Sequence, residues 1–418
     1  MAQLSSDLEG FGEPIRSVDE AANHIAGTLG PVAHVETVPL ALADARVLAY
    51  DLIASMALPP FTNSAVDGYA VRFADIVTAA GAPLTVADRV IAGGNAKGSV
   101  PPGRAVRIFT GAPMPDGSDT VFMQEDVRVD ADGRVHFPTG LRHGANVRPI
   151  GEDIPAGSVV LPRGRRLRPQ DVAVCAALGL TELEVRRSVR VAVFSTGDEI
   201  VSPGSARGPS QLFDSNRFML AAMLRRLGCA VSNLGILADD PILIADALRE
   251  AAAGHDFILA SGGVSTGEAD QVKAGVENAG KLAFWRVAIK PGRPIAMGSI
   301  DGVPFMGLPG NPVASFVTFV YLARSAVLAL AGAVSEPFTA MPVRAAFTYR
   351  KKAGRREYAR ARIRRGADGA LEAVKFPREG AGLLSSLIET EGLVELPETA
   401  TLVESGAMVA FLPYSVLL

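Results

Sequence analysis

At 418 residues the chain is too long for one ordinary core, and about two to four domains are expected of it. With 48% hydrophobic and 20% charged residues and a formal net charge of -3, it is neither a disordered polymer nor a broadly basic nucleic-acid binder. Cys175 and Cys229 lie far apart and outside any CxxC pair, which leaves no disulfide framework or thiolate zinc site and points to a reducing cytoplasm.

The first residues, MAQLSSDLEGFGEP, lack the basic-then-apolar order of an export signal. From Ser17, the segment SVDEAANHIAGTLG combines a cap, helical apolar spacing and a closing glycine, and predicts a short helix. HVETVPLALADARVLAYDLIA then reads as strand, helix and more strand, until the prolines of ALPPFTNSAVDGYAVR break the pattern. Between residues 66 and 147 the runs YAVR, LTVADRVIA, AVRIFTG, TVFMQEDVRV and RVHFP, punctuated by turn residues, predict a small all-β module. The exit, NVRPIGEDIPAGSVVLPRGRRLRPQDVAVCAALGL, returns to strands and a helix entered at RPQD, so the module is expected to be inserted into a discontinuous first unit.

From about 188 to 335 Val- and Ile-rich strands alternate with helices: VRVAVFS, SNRFMLAAMLRRLG, AVSNLGIL, PILIADALREAAAG and DFILA, then FWRVAI, PIAMGSI and VPFMGLP. That rhythm predicts an α/β domain with a mostly parallel sheet covered on both faces. The long run VASFVTFVYLARSAVLALAGAV is interrupted by Arg324 and Tyr321, and is expected to be a core helix, with no membrane span. From about 339 the chain alternates like a β domain. Its basic run 350–365 places Tyr358, Arg360, Arg362 and Arg364 on one strand face, expected to be solvated in preference to an anion-binding or nucleic-acid surface.

In such sheets ligands sit beyond the carboxyl ends of the strands, where four loops are predicted: STGDE (195–199), ADD (238–240), SGGVSTGEAD (261–270) and LPGNP (308–312). The small residues of 261–270, among them Ser261, Gly262, Gly263 and Ser265, allow close backbone approach and an oxyanion concavity. They do not explain Glu268 and Asp270, since carboxylates repel phosphate unless a cation bridges them or they handle protons. Asp198, Glu199, Asp239 and Asp240 bring acids to two further strand ends, although each pair alone fits ordinary helix capping. Pro309, Gly310, Asn311 and Pro312 open the apolar helix, with Asn311 as candidate cap and free N–H groups facing the same edge. Arg286, Lys290 and Arg293 add cations able to neutralise an oxyanion. The turns 62–72, 107–121 and 147–153 are dense in Gly, Asp, Thr and Asn, but composition does not join them to the α/β edge. No Walker loop, GxGxxG, GxSxG or HExxH occurs, and the five histidines are scattered.

Taken in order, PPFTNSAVDGYAVR, RIFTGAPMP, RPIGEDI, STGDEI, SGGVSTGEAD, AIKPGRP and GLPGNPVAS resemble the MoeA family of molybdopterin molybdenumtransferases, which includes the E domain of gephyrin. The resemblance spans nearly the whole chain. It implies four domains: a discontinuous first domain (14–55 and 148–187), the inserted β module (56–147), a molybdopterin-binding-like α/β domain (188–337) and a C-terminal β-barrel-like domain (338–418). It further implies a homodimer whose cleft is shared between subunits, acting on adenylylated molybdopterin and molybdate with Mg2+ and releasing AMP. Glu199, Asp239 and Asp270 take the family's catalytic and metal positions on one subunit, with Asp67, Thr110, Arg148 and Asp153 from the other; Lys290, Pro309 and Pro312 follow. Arg286 stands where relatives often carry lysine, which keeps the charge and changes its shape. A molybdopterin adenylyltransferase upstream and apo-molybdoenzymes downstream are the implied partners. A dimeric scaffold without catalysis, and a paralogue specialised for tungstate, are the alternatives.

Overall fold

The computed structural model describes residues 15–32, 34–79, 81–94, 98–262, 271–292, 294–334 and 337–417. The helix Val18–Thr28 forms as its sequence predicts: Ser17 Oγ accepts from the Glu20 N–H and Glu20 returns a bond to the Ser17 N–H, a complete capping box. Beyond it, Val35–Pro39 pairs antiparallel with Glu182–Arg186, which also pairs with Val47–Leu48, while Leu52–Ile53 pairs with Val159–Leu161. The helix expected between the first two strands is a single 3-10 turn, Leu40–Leu42. The Leu40 N–H is taken by Thr181 O across the sheet, and Ala45 turns the chain in the left-handed region, so no helical ladder can propagate.

Between those paired segments, strands from Gly68 to His136 build one six-stranded sheet. Its small cores gather Ala70, Val106, Ile108 and Val121 on one side and Val71, Ala105 and Phe122 on the other.

The central sheet runs in the order Ala230–Leu237, Arg190–Thr196, Phe257–Ser261, Val303–Leu308, Pro294–Ile300, Gly280–Arg286. The first four strands are parallel and the last two are antiparallel additions. Period-two alternation explains the two-sided burial. Val191, Val193, Phe257 and Leu259 enter one core, whereas Ala192, Phe194, Ile258 and Ala260 enter the other. The first core is closed by Val18–Thr28, Asn216–Arg226 and the apolar helix; the second is closed by Pro241–Gly254 and Gln271–Ala279. The apolar helix, Pro312–Ala331, is long and apolar enough to cross a membrane, but 89% of its most hydrophobic window is buried inside the protein, so it is a core helix. A π turn at Phe319–Ala323 interrupts it.

In the C-terminal region Arg356–Arg365 pairs with Leu371–Lys375, and pairing continues through Met341–Ala345, Met408–Pro413 and Gly392–Leu396 back to Arg356–Arg365, closing a five-stranded barrel. Closure removes sheet edges and buries Val343, Ala361, Val394 and Phe411. The solvated face expected for 350–365 is half wrong. Arg362 and Arg364 are exposed, but Tyr358 and Arg360 are buried. Tyr358 stacks on Tyr321 of the apolar helix, and Arg360 donates to Ser386 Oγ and Gly380 O. The cover comes from residues far away in sequence, which strand alternation cannot register.

Candidate active site

The parallel strands end together, and that edge collects the acids. Glu199 folds its carboxylate back over Gly197, whose φ of +126° favours glycine at this turn. Asp239, after the neighbouring strand, titrates above an ordinary aspartate because of partial burial and the charges of Asp198 and Glu199. The next residue serves the backbone instead, since Asp240 accepts from the Ile242 and Leu243 N–H groups and caps the helix Pro241–Gly254. The capping explanation therefore holds for Asp240 and leaves Asp239 with the acids.

Ser261 and Gly262 lie on the next strand end. Gly262 sits at φ +90°, and a Cβ there would meet Thr196 O at 2.8 Å, so this loop starts in backbone contact with the loop carrying Glu199. Buried Asn216 donates to Ser261 Oγ at 2.9 Å and to Gly310 O at 2.7 Å, tying two ligand loops together. The sequence reading missed Asn216; its signal was a helix start, FDSNRF, at the same edge. The hydroxyls of Ser195 and Thr196 are buried there without a hydrogen-bond partner among the described residues. Gly263, Ser265, Glu268, Asp270 and Arg293 lie outside the described residues.

Asn311 occupies the N-cap position, but its side chain makes no capping bond, and the Val313 N–H is taken by Ala381 O from the barrel. Part of the expected anion seat is thus filled by protein. Pro309 is buried, and Gly310 and Pro312 complete the turn. The antiparallel strands bring Arg286 and the cis-prolyl turn at Lys290–Pro291 to the same side. Lys290 then joins the barrel: Ile289–Lys290 runs parallel to Arg356–Glu357. Beneath this junction is a cavity of about 560 Å3, lined by Lys290, Pro291 and Gly292 from the α/β domain and by Arg355, Arg360, Lys375 and other barrel residues. Six of its lining side chains are cationic and two, Glu357 and Glu379, are anionic, so an anion is the charge it would accept. The sequence run predicted the basic residues and missed their inward direction.

The remaining candidates gather elsewhere. Asp67 Oδ1 accepts from both the N–H and the hydroxyl of Thr110, each at 2.8 Å, and these bonds hold the carboxyl below its ordinary range. Three turns converge here: Ser64 N–H donates to Ala112 O, Gly111 N–H to Ser64 O, and Asn63–Ser64 pairs with Val147–Arg148. Arg148 is therefore beside this group, and Asp153 follows in an exposed loop whose N–H donates to Leu58 O. Among the described residues no backbone hydrogen bond joins this group to the α/β edge.

The family models agree with this division. Residues 16–179 match the MoeA N-terminal region (domain I and II), 192–329 a probable molybdopterin binding domain, and 342–414 the MoeA C-terminal region (domain IV). The chain is 36% identical to a molybdopterin molybdenumtransferase of Haemophilus influenzae over 96% of its own length and 99% of that protein. It is 34% identical to another of Nostoc sp., over 94% and 92% of the two chains. A molybdopterin biosynthesis MoeA protein of Pyrococcus horikoshii superposes with a TM-score of 0.81 at 28% identity, covering 96% of this chain and 100% of that one. With the acid-lined sheet edge, the basic cavity and near-complete coverage by these relatives, the chain belongs to the MoeA family of molybdopterin molybdenumtransferases, enzymes of molybdenum cofactor biosynthesis.

Proposed function

We propose that the protein transfers molybdenum from molybdate to adenylylated molybdopterin with release of AMP. In the balanced reaction one molybdate oxygen leaves as water with the two dithiol protons while the two sulfurs bind molybdenum, and a second water cleaves the phosphoanhydride to give AMP and the pterin phosphate. The observation that carries this reading is the opposition of charge: acids converge at the strand ends while the adjoining cavity is basic. Arg360, Lys290 and their neighbours hold the tetrahedral dianion. Asp239, which keeps a proton to higher pH than an ordinary aspartate, can return it to a departing oxygen.

The acids also fit Mg2+. Among the described residues no group of three ligating side chains could hold a metal ion alone. Mg2+ commonly takes one or two carboxylates and completes its shell with substrate phosphates and water. Glu199, Asp239 and Asp270 are the residues assigned to hold it, and when bound it would supply positive charge against the phosphates. Asp67 and Thr110 form a preset pair, and we assign them, with Arg148 and Asp153, to the α/β edge of a second subunit. The exposed apolar side chains Leu42, Tyr50, Ile53 and Phe61 of the N-terminal half support burial of that half against a second copy. The site of action is the cytoplasm, with the adenylylating enzyme upstream and apo-molybdoenzymes downstream.

The test follows AMP release and reconstitution of an apo-molybdoenzyme from adenylylated molybdopterin, Mg2+ and molybdate or tungstate. Molybdate- and Mg2+-dependent turnover is expected. Turnover with tungstate alone would reassign the oxyanion, and none with either would leave the scaffold reading. Mixed Asp67→Asn and Asp270→Asn subunits should regain part of the activity; verified heterodimers without rescue would refute the shared cleft.

A further inference from the structure

The basic cavity contains a carboxylate that the charge argument leaves unexplained. Glu357 is almost fully buried, its side chain 3% exposed, in a wall meant for an anion. Both its oxygens are engaged. Oε1 accepts from Arg355 Nε at 2.8 Å, and Oε2 accepts from Tyr349 Oη at 2.8 Å and from Lys290 Nζ at 3.1 Å. Lys290 also donates to Tyr349 Oη at 3.0 Å, so two of its three ammonium protons are assigned while the group, 40% exposed, faces the cavity. Backbone pairing supports the arrangement, because Lys290 and Glu357 are register partners on neighbouring parallel strands.

We propose that Glu357 is a positioning residue which, through Lys290 and with Tyr349 as a brace, orients the lysine ammonium toward the oxyanion and keeps it charged. The inference rests on the transferase reading for the identity of the anion. Burial alone would push Glu357 up and Lys290 down, toward two neutral groups. In both the hydrogen bonds outweigh burial: Glu357 titrates below its ordinary value and Lys290 above. The other charged groups around the lysine cannot do this. Lys375 lies over the Tyr349 ring, 5.4 Å from its centroid, and like Lys352, Arg360 and Arg378 it carries the same sign as the lysine. Glu379 lines the cavity but makes no bond to Lys290 among the described residues. A carboxylate placed only to bind the barrel to the α/β domain would have no need of a bridging phenol on the side of the substrate cavity.

The experiment uses the full-length protein and its Glu357→Gln and Tyr349→Phe variants, with two readouts. The first is the pH dependence of acylation of Lys290 without ligands, followed by mass spectrometry. The second is KM for molybdate separately from kcat. In Glu357→Gln the reactivity profile should move to lower pH, and molybdate KM should rise about tenfold, the size of one charge-assisted hydrogen bond, with kcat within about twofold. Tyr349→Phe should move both in the same direction by less, about threefold, and serves if Glu357→Gln fails to fold. An unmoved acylation profile in a folded variant overturns the proposal. So does a joint fall of kcat and melting temperature at wild-type KM, which is the mark of a merely structural pair. If the profile shifts but the wild type shows no molybdate-dependent turnover, the transferase reading fails and the control of Lys290 by Glu357 stands.

Discussion

The sheet edge and the barrel cavity both concentrate charge, but they handle it in opposite ways. At the edge, Asp198, Glu199 and Asp239 share one sign, and partial burial, followed by their repulsion, raises the titration of Asp239. In the cavity Lys290 and Arg355 share the buried carboxylate of Glu357, and Lys290 and Glu357 are both held ionised. The first arrangement is incomplete without a proton or a cation; the second has its lysine pre-set and an excess of cations left for an anion. The two regions would thus respond differently to substitution, salt and pH.

The largest effect expected separates two adjacent aspartates. Asp239→Asn should lower kcat about 100- to 1,000-fold, the range of a lost acid–base group, with no loss of melting temperature. Asp240→Ala should cost about 1 kcal/mol of stability through the lost cap and leave kcat within about twofold. Equal turnover in the two variants, measured with calorimetric melting, would erase the distinction between ligand and cap.

Next in size, Arg360→Ala should raise molybdate KM about 10- to 100-fold by removing a buried guanidinium from the cavity wall. A wild-type KM would show that the anion binds elsewhere. Salt should act more gently: between 0.05 and 0.5 M chloride, about a threefold rise in molybdate KM is expected from screening of a partly open basic cavity. The smallest effect concerns pH. Because the Asp239 carboxyl titrates above its unfolded value, its ionisation disfavours the folded state, and stability should fall slightly as pH rises through that raised pKa. Asp239→Asn should abolish this slope and gain roughly 1 °C at neutral pH without Mg2+. The half-saturating Mg2+ concentration of the wild type should rise as pH falls through the same window. Melting scans and Mg2+ titrations at several pH values measure both.

Much of this was legible in the sequence because the signals were local. The alternation of Val191, Val193, Leu259 and Leu308 with their neighbours gave a two-sided sheet, and STGDE, ADD and the pair Ser261–Gly262 fell at strand ends as that sheet required. The turns around Asp67, Thr110 and Arg148 could be joined only by resemblance, since their contact runs through backbone bonds spanning more than forty residues. Asn216 and Glu357 were invisible for the same reason: each acts between loops that meet only after folding. Tyr358 and Arg360 were misread because a strand's period tells which residues share a face, not what covers it.

The strands that border the inserted segment carry one more consequence. Leu52–Ile53 pairs with Val159–Leu161 in a two-stranded ribbon of their own, so the chain leaves for the inserted segment and returns from it through adjacent positions. A segment with neighbouring ends can be excised and the gap bridged by a short linker without disturbing the pairing of Val35–Pro39 with Glu182–Arg186. Asp67 and Thr110 would depart with that segment as one hydrogen-bonded cassette, while Glu199, Asp239 and Lys290 would stay behind. The architecture thus makes one half of the candidate site a detachable part, open to exchange between relatives by recombination at a single pair of splice points.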